Sequence, residues 1–327
     1  MIRVYFIASF LCSISLSYGN FNFFKDLSMR PLDKEGFRNH LNEKLFRSTD
    51  WLESINFEGK EYKLEYTFNE KLTSYVKRVL RRYRSDYASV VVIDNNTGEI
   101  LTAVDYTRKT KKFGKSLTFS STNPAASIFK VVTAADLIEN TEVETDSKFS
   151  YAGKSTTLYK YQLKADNNRW SRTIPFRKAF ALSNNVVFGK AAIKKTTYPS
   201  LAKMANRFRF NKDNMQLVEL GNSTISEKGG DYELAELASG FNRKTMISPV
   251  HGAIIASIIA SDGIFRKPTL FSTVTDTTQD RVVWNAPLEI ERSLSEESAK
   301  AMQELMETTV RRGTARSAFR RPRSRLI

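Results

Sequence analysis

The sequence is poor in the two side chains that most often hold metals. Among 327 residues there is one Cys, Cys12, and there are two widely separated His, His40 and His251. A single thiol can form neither an internal disulfide nor a Cys-rich zinc site, and two distant imidazoles make a poor metal cluster. No metal and no cofactor are therefore expected. At this length a core forms without such staples. Long apolar runs are scarce too. Val4–Leu16 is the longest candidate at 13 residues, short of the ~20 that a spanning helix needs. Arg3 precedes it and Ser17-Tyr18-Gly19 follows it, so 1–19 reads as a secretory signal cleaved before Asn20, with an uncleaved anchor as the alternative. The expected destination is the periplasm or the outer side of the cell envelope. A mature chain without Cys is indifferent to redox compartment.

Acidic residues are in the minority. There are 35 Asp+Glu against 51 Lys+Arg, a net charge of +16. Basic clusters fall at Lys77–Arg84, at Arg108–Lys115 and in 311–325, where seven Arg occur. No nucleic-acid motif accompanies them, and export argues against that partner. Attraction to anionic wall polymers or a membrane surface fits better than nucleic acid, and solvated basic faces with no partner are the leading reading. At 41% hydrophobic and 12% aromatic residues the chain is not a disordered one.

There is no internal repeat. Residues 20–60 read as an N-terminal extension and 61–327 as the main domain. Tyr62–Phe68 alternates like a strand, and Asn69 can cap a helix running to about Arg82. Ser89–Ile93 and Glu99–Val104 flank the turn cluster Asp94-Asn95-Asn96-Thr97-Gly98, a hairpin signal. Arg108–Lys115 reads as a basic loop. Helical patterns cover Ala126–Glu139, Leu234–Ser239, Val250–Ser261 and Ser293–Val310, the last entered through Ser295, and Lys178–Lys194 is another apolar stretch. Little or no strand is expected near the end. This order suits a sheet with an inserted helical region rather than a regular βαβ array.

A serine hydroxyl needs a base to become a nucleophile. With Cys and His so few, that base would be Lys. Ser-x-x-Lys places the two groups on one helix face. The spacing occurs three times, at Ser74–Lys77, Ser127–Lys130 and Ser200–Lys203. Ser74–Lys77 sits in a strongly basic, solvated pattern, and Ser200 follows Pro199 where a cap is expected. Ser127–Lys130 opens an apolar helix. There the helix dipole favours an oxyanion, and burial favours a neutral amine. Ser183 and Asn185 form a Ser-x-Asn in another apolar stretch. Ser183 could shuttle a proton, and Asn185 could hold an amide and the lysine. His251, after Ser248-Pro249, reads as structural.

These pieces, in this order, resemble the transpeptidase domain of penicillin-binding proteins, within the serine β-lactamase-like group. The hairpin Val90–Val104, Ser127–Lys130, Ser183–Asn185, the stretch Glu236…Ser239-Gly240-Phe241-Asn242…Ser248-Pro249…Asp262-Gly263…Pro268 and Gly313-Thr314-Ala315 carry the likeness. It implies an α/β fold, an antiparallel sheet flanked by helices with a helical subdomain that carries Ser183. It also implies acyl transfer on peptidoglycan stem peptides ending in D-Ala-D-Ala, with Ser127 as nucleophile, Lys130 as base and Ser183 as proton shuttle. β-Lactams would be covalent inhibitors at Ser127. One departure stands out. The third motif of that family, Lys-Thr/Ser-Gly on a strand, occurs nowhere in the sequence. In the family that strand binds the substrate carboxylate and supplies an oxyanion donor, and losing one such donor costs about 10²–10³ in rate. The expectation is a C-terminally truncated domain. The alternatives are a divergent, non-catalytic wall-binding or scaffold module, and a class D-like β-lactamase or β-lactam sensor. The absence of Tyr-Gly-Asn weighs against class D.

Overall fold

The computed structural model describes residues 32–164, 169–221, 223–225 and 229–319. The secretory-signal reading of 1–19 lies outside them, as do the last Arg residues of the C-terminal cluster. The chain divides into two units, Met1–Asp33 and Lys34–Ile327; every element below belongs to the second.

Asn69 accepts a hydrogen bond from the Leu72 amide at 2.9 Å, and the helix Glu70–Leu80 starts there. Its apolar face, Val76 and Leu80, packs on Val104 and Tyr106. Those two lie on the strand Ile100–Thr107, which pairs antiparallel with Tyr87–Ile93 across the expected turn. Asp94 Oδ1 accepts from the Asn96 amide at 2.7 Å, and Gly98 takes the left-handed conformation that closes the turn. The expected basic loop Arg108–Lys115 is instead a turn followed by a third strand, Lys112–Gly114, paired to the end of Ile100–Thr107. Phe113 explains the difference. Its ring lies 5.0 Å from Tyr106, and the cations of Lys77 and Arg81 stand over it.

A second antiparallel sheet runs in the order Ser54–Phe57, Lys60–Tyr66, Phe271–Asp276, Arg281–Asn285. The helix Lys34–Arg47 contributes the fully buried Phe37, Leu41 and Leu45, and Phe37 meets Phe57 and Tyr62 edge-on at 5.6 and 5.2 Å. Residues 34–60 thus share a sheet and a core with the residues that follow 60. The sequence reading of little or no late strand is corrected: Ile264–Arg266, Phe271–Asp276, Arg281–Asn285 and Ile290–Arg292 are all strands. A register shift between Phe271 and Thr273 breaks the period-2 pattern, and the partner Lys60–Tyr66 lies far back in the sequence.

The helix Phe129–Asn140 occupies the centre of the helical region, with Phe129, Val132, Ala134, Ala135 and Leu137 fully buried. The helices Asn185–Lys195, Tyr198–Arg207, Asp231–Ser239 and Glu296–Arg312 pack around it. Ser295 caps the last of these by accepting from the Ser298 amide. Asp136 is a buried carboxylate on the central helix, hydrogen-bonded by Thr196, Ser200 and Asn140. Tyr198–Arg207 is capped by Thr197, not by Ser200. The architecture is mixed α/β with antiparallel sheets.

Candidate active site

Ser127 lies in a single 3-10 turn, Ala126–Ile128, that runs directly into Phe129–Asn140. Lys130 follows one turn on and is 2% exposed. Its Nζ stands 3.0 Å from Ser127 Oγ, 2.7 Å from Asn185 Oδ1 and 2.6 Å from the Ser239 carbonyl. No carboxylate is among these partners, and burial alone pulls the amine down to about 7. A neutral amine has two N–H bonds and one lone pair. Asn185 Oδ1 and the Ser239 carbonyl accept the two N–H groups, which leaves the lone pair for the Ser127 hydroxyl.

Ser183 approaches from the other side. It joins the helices Phe176–Ala181 and Asn185–Lys195 and has φ of 52°. For a residue with a Cβ this conformation costs about 1–2 kcal/mol. Its Oγ donates to Ser127 Oγ at 3.0 Å. Asn184 caps the second helix by accepting from the Val187 amide, and this fixes the turn. Asn185 is held at both ends. Its backbone N–H donates to the Ser155 carbonyl at 2.8 Å and its Nδ2 to the Thr156 carbonyl at 3.0 Å.

The structure therefore brings Ser127, Lys130, Ser183 and Asn185 into one hydrogen-bonded group. The other two Ser-x-x-Lys pairs are elsewhere: Ser74 and Lys77 are exposed, and Ser200 donates to Asp136. The main-chain participants escaped sequence reasoning. The carbonyls of Ser239 and Thr156 act through the main chain, so residue type carries no signal for them. Gly240, with φ of 65°, packs its bare Cα against the Ala126 carbonyl. Gly313-Thr314 abuts the start of the turn that carries Ser183, where the Thr314 amide donates to the Ala181 carbonyl at 3.0 Å.

Beside Ile128, itself half exposed, a cleft of about 500 Å³ opens between Val90, Val91, Ile247 and Gly252. A larger one of about 800 Å³, lined by Arg38, Phe119, Asp213 and Gly221 among others, includes none of the four grouped residues. Of the four, Ser127 is exposed and Ser183 half-buried, whereas Lys130 and Asn185 are buried.

A family model of the penicillin binding protein transpeptidase domain matches residues 88–325. The chain belongs to this family. Solved structures of similar fold agree with the assignment. Penicillin-binding protein A of Mycobacterium tuberculosis aligns with a TM-score of 0.63 and 21% identity, over 76% of this chain and 64% of its own. Its imipenem acyl-enzyme complex aligns at 0.64 and 20%, over 79% and 65%. The D,D-transpeptidase domain of a peptidoglycan glycosyltransferase from Eggerthella lenta aligns at 0.65 and 21%, over 84% and 71%. The chain thus spans just under two thirds of the length of the Mycobacterium chains. No curated protein matches it in sequence.

In this transpeptidase domain His251 is not part of the hydrogen-bonded group. It is fully buried, with Nε2 2.7 Å from the Phe208 carbonyl and its ring 4.6 Å from Phe210. Burial, aided by Arg209, pushes it down to about 4 from an ordinary 6.5, against the opposing pull of the Phe208 carbonyl. Its contribution to stability is complete above pH 6.5 and is lost as pH falls toward 4. At pH 5 the loss should be about 2 kcal/mol. Urea unfolding at pH 7 and pH 5 checks this against His251→Gln, which keeps a donor for Phe208 but does not titrate. Equal pH dependence in both proteins would sink the assignment.

Proposed function

We propose that the chain is a D,D-transpeptidase-like acyl transferase acting on peptidoglycan stem peptides. The observation that carries this reading is the position of Ser127 Oγ, 3.0 Å from a buried amine without a counter-ion and 3.0 Å from a second hydroxyl. Ser127 Oγ bonds to the carbonyl carbon between the two terminal D-alanines, and the C–N bond to the last one breaks. Lys130 takes the Ser127 proton, and Ser183 relays a proton to the departing amine. Asn185 orients Lys130 and the substrate amide. An amine from a neighbouring strand, or water, then resolves the acyl-enzyme. A β-lactam acylates the same oxygen by opening its ring. An exported chain would meet these substrates outside the cytoplasmic membrane.

The rival reading is a wall-binding module without turnover. Intact mass after incubation with a penicillin separates the two. The expected result is a stable adduct on the wild type and none on Ser127→Ala. A folded wild type that never acquires the adduct would defeat the enzyme reading. Rapid hydrolysis of the drug would favour a β-lactamase instead.

A further inference from the structure

The loop that holds Asn185 carries features that acyl transfer does not use. Tyr159 and Tyr161 are 55% and 64% exposed, yet their rings lie parallel within 11° and 5.7 Å apart. Tyr159 leads directly into the short helix Lys160–Lys164, which carries Tyr161, and this segment is fixed from beneath. Gln162, fully buried, accepts from Thr157 Oγ1 and the Tyr159 amide and donates to the carbonyls of Ala152 and Lys154. Leu158 is also buried, and Tyr232 donates its hydroxyl to the Leu158 carbonyl at 2.8 Å. Two apolar ring faces are thus held in water on a rigid mount. Preorganisation of this kind lowers the ordering cost of binding.

The surroundings are basic. From Lys148 to Arg172 the sequence has six Lys and Arg against one acidic residue, Asp166. Arg172 donates to the Gly153 carbonyl, at the base of the same loop, and Lys160 stands between the two tyrosines in sequence, over the Tyr232 ring. Glu236 is the carboxylate that Lys160 faces. The loop also reaches the catalytic group, because the Ser155 and Thr156 carbonyls are those that anchor Asn185.

We infer that Tyr159 and Tyr161 form a platform for the glycan strand of peptidoglycan. A pyranose ring presents a face of C–H bonds, which packs on a flat aromatic face while the hydroxyls stay in water. Lys154 and Lys160 meet the carboxylates of the attached peptides. The inference deepens the acyl-transfer reading and rests on it, since this glycan carries the peptides that Ser127 would attack. Single-stranded nucleic acid also matches stacked rings among cations. The position of the loop at the rim of the Ser127 group favours the glycan.

The test is co-sedimentation of the full chain with purified peptidoglycan, in moderate and high salt, with a single-stranded oligonucleotide as the rival ligand. The double variant Tyr159→Ala/Tyr161→Ala should lose at least about tenfold in peptidoglycan binding, and Tyr159→Phe/Tyr161→Phe should retain it. Penicillin adduct formation should stay within about twofold of wild type in both. Unchanged sedimentation of the alanine variant would overturn the inference. So would a loss confined to the oligonucleotide. If the wild type sediments in a Tyr-dependent way but never forms the penicillin adduct, the acyl-transfer reading fails while the platform stands.

Discussion

Lys130→Met is expected to slow penicillin acylation by about 10²–10⁴, the usual worth of a positioned general base. The pH dependence gives a sharper signature than the rate. Lys130 must be neutral to accept the Ser127 proton, and its burial sets the transition at about 7. Below that pH the amine is an ammonium with no lone pair; above it the lone pair is present. The wild-type acylation rate should therefore rise with pH and level off beyond about 7, and the Met variant should show no such step. Lys130→Arg should behave like Met, because a guanidinium does not deprotonate in a protein. Stopped-flow or gel-based acylation with a fluorescent penicillin across pH 5–9 makes the measurement. A wild-type rate flat across that range would remove Lys130 as the base. The Met variant also leaves Asn185 Oδ1 and the Ser239 carbonyl without their donor, at about 1–3 kcal/mol each. A thermal melt must show that it is folded before the rate is read.

The second large effect is expected at Gly240. A Cβ built there would lie 1.8 Å from the Ala126 carbonyl oxygen, 2.4 Å from its carbon and 3.1 Å from the Ser127 nitrogen. All three are backbone atoms, so no side-chain rotation relieves the clash, and φ of 65° adds its own penalty. Gly240→Ala should destabilise the fold by about 2–4 kcal/mol. It should also slow acylation by more than about 10², because the turn that holds Ser127 must move away from the Ser239 carbonyl that orients Lys130. Urea denaturation and the same penicillin assay report the two losses. A variant with wild-type acylation would show that the contact between the two backbones is not needed for the chemistry.

Much of this site was legible in the sequence because its chemistry sits in side chains at fixed local spacings. Ser127 and Lys130 are one helical turn apart, and the apolar residues after Lys130 set that pair apart from Ser74–Lys77 and Ser200–Lys203. Asn69 and Ser295 read as caps and are caps. What escaped has a common cause, contacts made by backbone or over long sequence separations. The Ser239 carbonyl could be any residue's carbonyl. Phe271–Asp276 alternates imperfectly across its bulge, and its pairing with Lys60–Tyr66 is invisible to any local window. Ser54–Phe57 becomes a strand because Lys60–Tyr66 lies beside it, and its own four residues signal little. Lys112–Gly114 is similar: the Lys-rich composition reads as loop, whereas one ring, Phe113, ties it to Tyr106.

The hairpin strand Tyr87–Ile93 has a further consequence, for the behaviour of the purified chain. Among the described residues its only sheet neighbour is Ile100–Thr107, so its other edge has no strand paired to it. Its sequence, Tyr-Ala-Ser-Val-Val-Val-Ile, has no charge, no Pro and a strong preference for extended backbone. Such an edge is a template on which a second molecule can add itself, and repetition of that step is how soluble protein becomes precipitate. The force that keeps copies apart is long-range repulsion from a net charge of +16. Salt shortens the reach of that repulsion to about 10 Å at 0.1 M and about 3 Å at 1 M, while the open edge loses nothing. Colloidal stability of this chain is thus tied to ionic strength.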